Sequence, residues 1–236
     1  MPGFPDFGKN TSWFCPASSS KEGAKEVYSF RVSGILREVC HFRENHQKFQ
    51  EVENVLVAGF VGSPRRGGNT EILVRKVLEG AASQGAETAI SYLNELTIHG
   101  CQACNFCKEH ARCRQEDDMT LLYEVLKQAD GFVLGSPIYM DYLTAQTKLF
   151  LDRLFAFFGP NLECTLPRGK RAVLVYSQGG GNNPEVMESL ARFLREALNV
   201  EVLGIVGGSG CNVPGAVRER KDLLTQAFEL GKSLVE

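Results

Sequence analysis

Asn54-Val-Leu-Val-Ala-Gly-Phe-Val61 runs directly into Gly62-Ser-Pro-Arg-Arg-Gly-Gly-Asn-Thr70. The first segment is short and almost continuously apolar, the pattern of a strand buried on both faces. The second is rich in glycine, hydroxyl and basic residues. It leads into a helical pattern from Asn69 to Ala82, with Ile72, Leu73, Lys76, Val77 and Leu78 at helical spacing. A buried strand, a tight glycine-rich turn and a helix form the opening unit of a parallel α/β sheet.

The same alternation continues outward. Thr88 to Leu93 reads as a second strand, less apolar and so suited to a sheet edge. Met119 to Gln128 is a helix with Leu121, Leu122, Val125 and Leu126 on one stripe. Gly131 to Gly135 is a third strand and Leu143 to Phe158 a long apolar helix. Arg171 to Tyr176, the helix Pro184 to Leu198, the strand Val200 to Val206 and the helix Gly215 to Val235 complete the series. Five strands alternating with five helices predict a doubly wound parallel sheet with helices on both faces. Ligands of such sheets sit beyond the carboxyl ends of the strands, so the segments after strands one, three and four are the places to search.

Residues 1–52 fit none of this and read as an N-terminal extension to a domain spanning 53–236. The first 20 residues are Pro/Gly/Ser-rich. Residues 33–50 could form an amphipathic helix through Ile35, Leu36, Val39, Phe42 and Phe49. The simplest reading is a surface extension or dimer arm, with no functional role for Trp13, Cys15 or Cys40.

With 26 Lys+Arg against 28 Asp+Glu, the net charge of −2 gives no electrostatic reason to expect nucleic acid or an anionic membrane as partner. No run approaches the roughly 18 apolar residues of a membrane span. The first 20 residues lack a basic n-region and a continuous apolar h-region, so the expected compartment is the cytoplasm. Disulfides are rare there. The chain nevertheless carries eight cysteines, four of them between positions 101 and 113, and such clustering favours metal or redox chemistry.

The turn at 62–70 ends at a helix N-terminus, where backbone N–H groups and the helix dipole favour a phosphate. Ser63, Asn69 and Thr70 add side-chain donors, and Arg65 or Arg66 could add charge. The spacing Gly62-x4-Gly67 is not a nucleotide P-loop, because Gly68 and Asn69 stand where Lys and Ser/Thr are required. Gly-x-Gly-x-x-Gly is absent as well. A tight turn without a ligand is the alternative. After strand three, Pro137 fixes the backbone and Tyr139 offers an aromatic face within Gly135-Ser-Pro-Ile-Tyr-Met-Asp-Tyr142, which suits a flat heteroaromatic ring. After strand four, the glycines of Ser177-Gln-Gly-Gly-Gly-Asn182 let backbone approach a ligand closely. Each loop alone is weak, but three at one end of a sheet reinforce one another.

Cys101-Gln-Ala-Cys104-Asn-Phe-Cys107-Lys-Glu-His-Ala-Arg-Cys113 spaces its thiols as C-x2-C-x2-C-x5-C. A [4Fe–4S] cube needs four thiolates at tetrahedral corners, and two C-x2-C steps let one loop reach three irons. Cys113 would close the same cluster. Structural zinc sites usually draw on two separated cysteine pairs, and zinc or a thiol-only loop are the alternatives. His99 and His110 flank the motif and read as solvent-facing. Lys108, Arg112 and Arg114 could offset cluster charge, opposed by Glu109, Glu116, Asp117 and Asp118. Cys164 and Cys211 read as small core or loop residues, and Asp152-Arg153 as an ion pair on a helix surface.

Gly62-Ser-Pro-Arg…Asn69-Thr70, the cysteine segment followed by Asp117-Asp118-Met119, and Ser136-Pro137-Ile138-Tyr139…Thr144…Lys148…Asp152-Arg153 together resemble the iron-sulfur flavoproteins. These form a branch of the flavodoxin-like, NADPH-dependent FMN reductases, and the resemblance covers residues 53–236. It implies a flavodoxin-like fold and FMN, with the phosphate held at 63–70 through Ser63, Arg65, Asn69 and Thr70. It places the isoalloxazine against Pro137, Ile138, Tyr139 and Met140 and against 177–182, including Ser177, Gly179 and Gly180. The cysteine spacing is the one that family shows, which implies a [4Fe–4S] cluster on Cys101, Cys104, Cys107 and Cys113. The expected function is electron transport from a ferredoxin-like one-electron donor through the cluster to FMN and on to a small-molecule acceptor, in a homodimer or dimer of dimers. A cluster-free NAD(P)H-dependent FMN or quinone reductase is the alternative.

Overall fold

The apolar run that opens the domain forms β1, Leu56–Val61, and is paired on both sides. A computed structural model of the chain describes residues 55–236. The N-terminal extension, the helix expected over 33–50, and Trp13, Cys15 and Cys40 lie outside the described residues. β1 sits between β2, Glu87–Tyr92, and β3, Gly131–Tyr139. Beyond β3 follow β5, Arg171–Ser177, and β6, Glu201–Gly208, all parallel in the order β2-β1-β3-β5-β6. This is the flavodoxin-like order, whose switch point lies between the first and third strands. β2 is an edge strand, as its weaker apolar character suggested. The five expected parallel strands are all present, and a two-residue strand, β4 (Tyr142–Leu143), folds back antiparallel on the end of β3.

The strands alternate their side chains between two apolar layers. Phe60, Phe132, Leu134, Ala172 and Leu174 face one layer with α3 (Met119–Gln128), α4 (Ala145–Arg153) and α5 (Glu185–Leu198). Val57, Val61, Val133, Val173 and Val175 face the other with α1 (Asn69–Ser83) and α6 (Lys221–Ser233). Each fully buried Val, Leu or Phe contributes about 1.5–3 kcal/mol, so the two layers stabilise the helices far more than propensity does. No helix among the described residues is long and apolar enough to cross a membrane.

Two expected helices differ in extent, and β3 runs on past the expected Gly135 to Tyr139. The long helix expected over 143–158 begins only at Ala145, because Thr144 caps it by accepting from the Thr147 N–H. It then ends at Arg153 in a 3-10 turn, Leu154–Phe157. The helix expected from Gly215 starts as a 3-10 turn, Ala216–Glu219, and becomes α-helical at Lys221. The cysteine segment contains one short helix not anticipated, α2, Phe106–His110.

Candidate functional site

The turn after β1, the hairpin after β3 and the turn after β5 meet beyond the carboxyl ends of the strands and enclose a cleft of about 340 Å3. All eleven residues picked out in the sequence line it: Ser63, Arg65, Asn69 and Thr70 from the first turn, Pro137 to Met140 from the hairpin, and Ser177, Gly179 and Gly180 from the third. The segment after β6, which the sequence reading passed over, supplies a fourth wall through Cys211, Asn212 and Pro214. The rule applied to strands one, three and four would have found it if applied to the last strand too.

α1 enters this cleft through Gly68, which provides no side-chain cap. Its first-turn N–H groups and the positive end of its dipole are therefore available to an anion. Arg65 lines the cleft and is steadied by donating from Nη1 to the Asn212 carbonyl at 3.1 Å. Arg66 does not contribute. Its guanidinium pairs with Glu95 and lies over the Tyr92 ring. Glu71 turns away from the cleft, where burial pushes its carboxyl up. Arg75, the Tyr92 hydroxyl and the Gly67 N–H outweigh burial and hold it below the usual carboxylate range.

Asn69 corrects one expectation. It lines the cleft, but its Nδ2 donates to the carbonyls of Cys211 and Val213, both at 2.8 Å, and its Oδ1 accepts from the Val217 N–H at 3.0 Å. The side chain holds the fourth wall against α1 and is not a free donor for a ligand. Thr70 and Ser177 join hydroxyls at 2.8 Å, linking the first and third turns. The Thr144 hydroxyl donates to the Gly62 carbonyl at 2.7 Å, which joins the hairpin to the first turn. Close packing demands glycine here: a Cβ on Gly62 would lie 1.8 Å from the Thr147 hydroxyl oxygen. The hairpin turns through Met140 and Asp141, both with positive φ (47° and 57°), the requirement of a tight two-residue turn that matches strand twist. Met140 is 99 % exposed at its tip.

A second, smaller hollow is lined by all four clustered cysteines together with Arg153, Phe155 and Ala156. Cys101 and Cys104 are exposed, and Cys107 and Cys113 are half-buried. Ala103, Asn105 and Ala111 adopt left-handed backbone at φ of 50–56°, a costly conformation for alanine that persists only where surroundings enforce it. Such turns direct backbone N–H groups inward, as many iron–sulfur loops do. Among the described residues, no three Cys, His, Asp or Glu side chains stand close enough to hold a metal ion as they are. Burial pushes the Cys107 thiol up, while Lys108 pulls the other way. Lys108 is itself anchored by the carbonyls of Phe155 and Phe158, at 2.9 and 2.6 Å, above the Phe155 ring. His99 and His110 are exposed, as expected.

The base of this loop overturns the surface reading of Asp152-Arg153. Asp152 pairs with Lys148 on the helix surface, but the Arg153 side chain is only 1 % exposed and forks onto Asp117, itself 2 % exposed, at 2.6 and 3.0 Å. Arg153 Nη1 also donates to the His99 carbonyl at 2.9 Å. Asp117 in turn accepts the N–H groups of His99 and Met119, and Asp118 accepts the Thr97 N–H. These carboxylates clasp the two ends of the cysteine loop together. Burial pushes the Asp117 carboxyl up, but the bonds from Arg153 and the backbone prevail and hold it below the usual aspartate range.

Comparisons with known proteins agree with this geometry. The model of one family, NADPH-dependent FMN reductase, matches residues 55–208. An iron-sulfur flavoprotein of Methanocaldococcus jannaschii is 33% identical over 186 residues, covering 76% of this chain and 95% of its own. Another from Archaeoglobus fulgidus is 32% identical over 173 residues, covering 72% and 85%. Among solved structures, an NAD(P)H:quinone oxidoreductase from Methanothermobacter marburgensis superposes with a TM-score of 0.62 at 19% identity, over 77% of this chain and 99% of that one, and so shares the fold. The chain therefore belongs to the iron-sulfur flavoproteins, within the NADPH-dependent FMN reductase family.

Proposed function

We propose that this chain is an electron-transfer flavoprotein that holds FMN in the cleft at the strand ends and a [4Fe–4S] cluster on Cys101, Cys104, Cys107 and Cys113. Family membership carries the flavin redox role and the cofactor FMN. The observation that supports the finer reading most is the convergence of eleven sequence-selected residues on one cleft, beside a second hollow lined by four thiols. When bound, a cluster supplies one-electron exchange and FMN either one- or two-electron exchange. The chain's own part is positional. The α1 N-terminus, Ser63, Thr70 and Arg65 would hold the phosphate. Pro137, Ile138, Tyr139 and Met140 would border one side of the flat ring, with Ser177, Gly179 and Gly180 on the other. The orphaned, water-sealed Nε of Arg153 and the four-thiol donor set fit an anionic cluster at the mouth of this hollow, with Cys101 and Cys104 on its exposed side.

The reading includes a ferredoxin-like electron donor, a small-molecule acceptor and a cytoplasmic homodimer or dimer of dimers, without nucleic-acid or membrane partners. Tyr142 and Phe193, 54 % and 37 % exposed beside a groove between α4 and α5, offer apolar surface for self-association. The second reading, a cluster-free NAD(P)H-dependent FMN or quinone reductase, draws on the family match over 55–208. Anaerobic purification, a visible spectrum and iron, sulfide and FMN analysis separate the two. A dithionite-bleachable shoulder beneath flavin bands, with about four irons per chain, supports the first. Flavin without iron, bleached rapidly by NADPH alone, supports the second. Cys104→Ala is expected to lose iron and keep FMN, and loss of both would argue against independent sites.

A further inference from the structure

Arg153 stands out among the charged residues because the fold seals it from water at the wall of the cysteine hollow. Its Nη1 and Nη2 are committed to Asp117 and the His99 carbonyl. Its Nε is the one buried side-chain nitrogen or oxygen among the described residues that lacks a hydrogen-bond partner. A buried guanidinium N–H left unpaired costs about 1–3 kcal/mol or more, and such orphans call for an absent partner. The side chain lines the hollow that all four cysteines share. The backbone carbonyl of Arg153 is fixed by the Tyr123 hydroxyl at 2.9 Å, and Asp117 clamps the guanidinium in a bidentate fork. The donor is thus held in place before any ligand arrives.

We propose that Arg153 is a positioning and tuning residue for the cysteine-bound cluster, its Nε–H donating to a sulfur of that cluster. The inference rests on the cluster reading above. A hydrogen bond to sulfur and an adjacent positive charge both favour the more negative, reduced form, so Arg153 raises the cluster's reduction potential. Asp117 neutralises part of that charge and aims the fork. Arg114 lines the same hollow and Arg112 lies against the Phe106 ring, but both are exposed, and neither is buried and clamped as Arg153 is. The sequence shows the opposing charges around the motif but not which of them is anchored.

The test uses the anaerobically purified, iron-loaded protein. Pulsed EPR of the dithionite-reduced wild type, grown with 15N-arginine, is expected to show a nitrogen hyperfine coupling to the cluster that disappears in Arg153→Lys. In a redox titration monitored by EPR, Arg153→Lys is expected to retain its iron and shift to a lower midpoint potential, with the FMN potentials unchanged. The coupling is read on the unaltered chain, so failure of Arg153→Lys to fold leaves it decisive. Absence of any arginine coupling in the wild type, or a coupling and potential unchanged in Arg153→Lys, overturns the assignment while the cluster reading stands. A wild type that takes up no iron overturns both.

Discussion

Replacing Asp117 with Asn is the most demanding stability test of the clasp beneath the cysteine loop. The change keeps the side-chain volume but strands the Arg153 guanidinium as a buried, uncompensated charge, since the two side chains are only 1 % and 2 % exposed. An exposed ion pair is worth at most about 1 kcal/mol, whereas removing one partner of a buried pair costs about 3–5 kcal/mol. At about 2–4 °C per kcal/mol for a domain of this size, the expected fall in Tm is about 6–20 °C. Urea unfolding followed by far-UV circular dichroism, with FMN saturation and iron content matched between proteins, measures the difference without a ligand-linkage artefact. The double variant Asp117→Asn/Arg153→Met removes both charges and should be less destabilised than the sum of the two single variants. A loss below about 0.5 kcal/mol for Asp117→Asn, typical of an unremarkable surface change, would refute the clasp.

The same carboxyl sets an acid limit. Its folded pKa is depressed by Arg153 and the backbone donors against the upward push of burial. Its stabilising contribution is therefore present above the ordinary aspartate value of about 3.9 and is lost as pH falls through the lower folded value. The urea midpoint of the wild type should drop over that acid range, and Asp117→Asn should lack this component. Gly62→Ala would place a Cβ 1.8 Å from the Thr147 hydroxyl and 3.1 Å from the Gly135 carbonyl, so it should cost about 1–3 kcal/mol by overpacking, measured in the same urea assay. Ser177→Ala removes the 2.8 Å partner of Thr70. That net hydrogen-bond loss should lower stability by about 0.5–1.5 kcal/mol, read in the same urea assay.

The sheet was legible because its signal is local. The run Val55–Val61 is apolar at nearly every position, as a strand covered by helices on both faces must be, and glycine-rich turns mark where each strand ends. Parallel strands place those turns at one end of the sheet, so residues as distant as Ser63, Tyr139 and Gly179 could be assigned to one cleft before their contacts were known. The cysteine spacing was legible for the same local reason. Arg153 was not, because its partner lies 36 residues away while an aspartate sits next to it in the chain. Adjacent helix residues point in different directions, so the sequence neighbour was the wrong partner. Asn69 looked like a ligand donor because its type and place in the turn suit that role. Its actual partners lie 142–148 residues downstream and leave no trace in the local pattern.

Those three Asn69 bonds have a consequence for biosynthesis. The wall they secure, Cys211 to Val217, follows the last strand, so the cleft begun at residue 62 has no closing side until almost the whole chain has left the ribosome. Contacts this far apart in sequence form late, after the loop-closure cost has been met. A nascent chain halted before residue 211 would carry the first turn, the hairpin and the third turn but should retain little FMN. Flavin retention on stalled chains of increasing length should therefore rise in one step, once the segment that Asn69 grips has emerged, and so mark completion of the domain rather than of its first half.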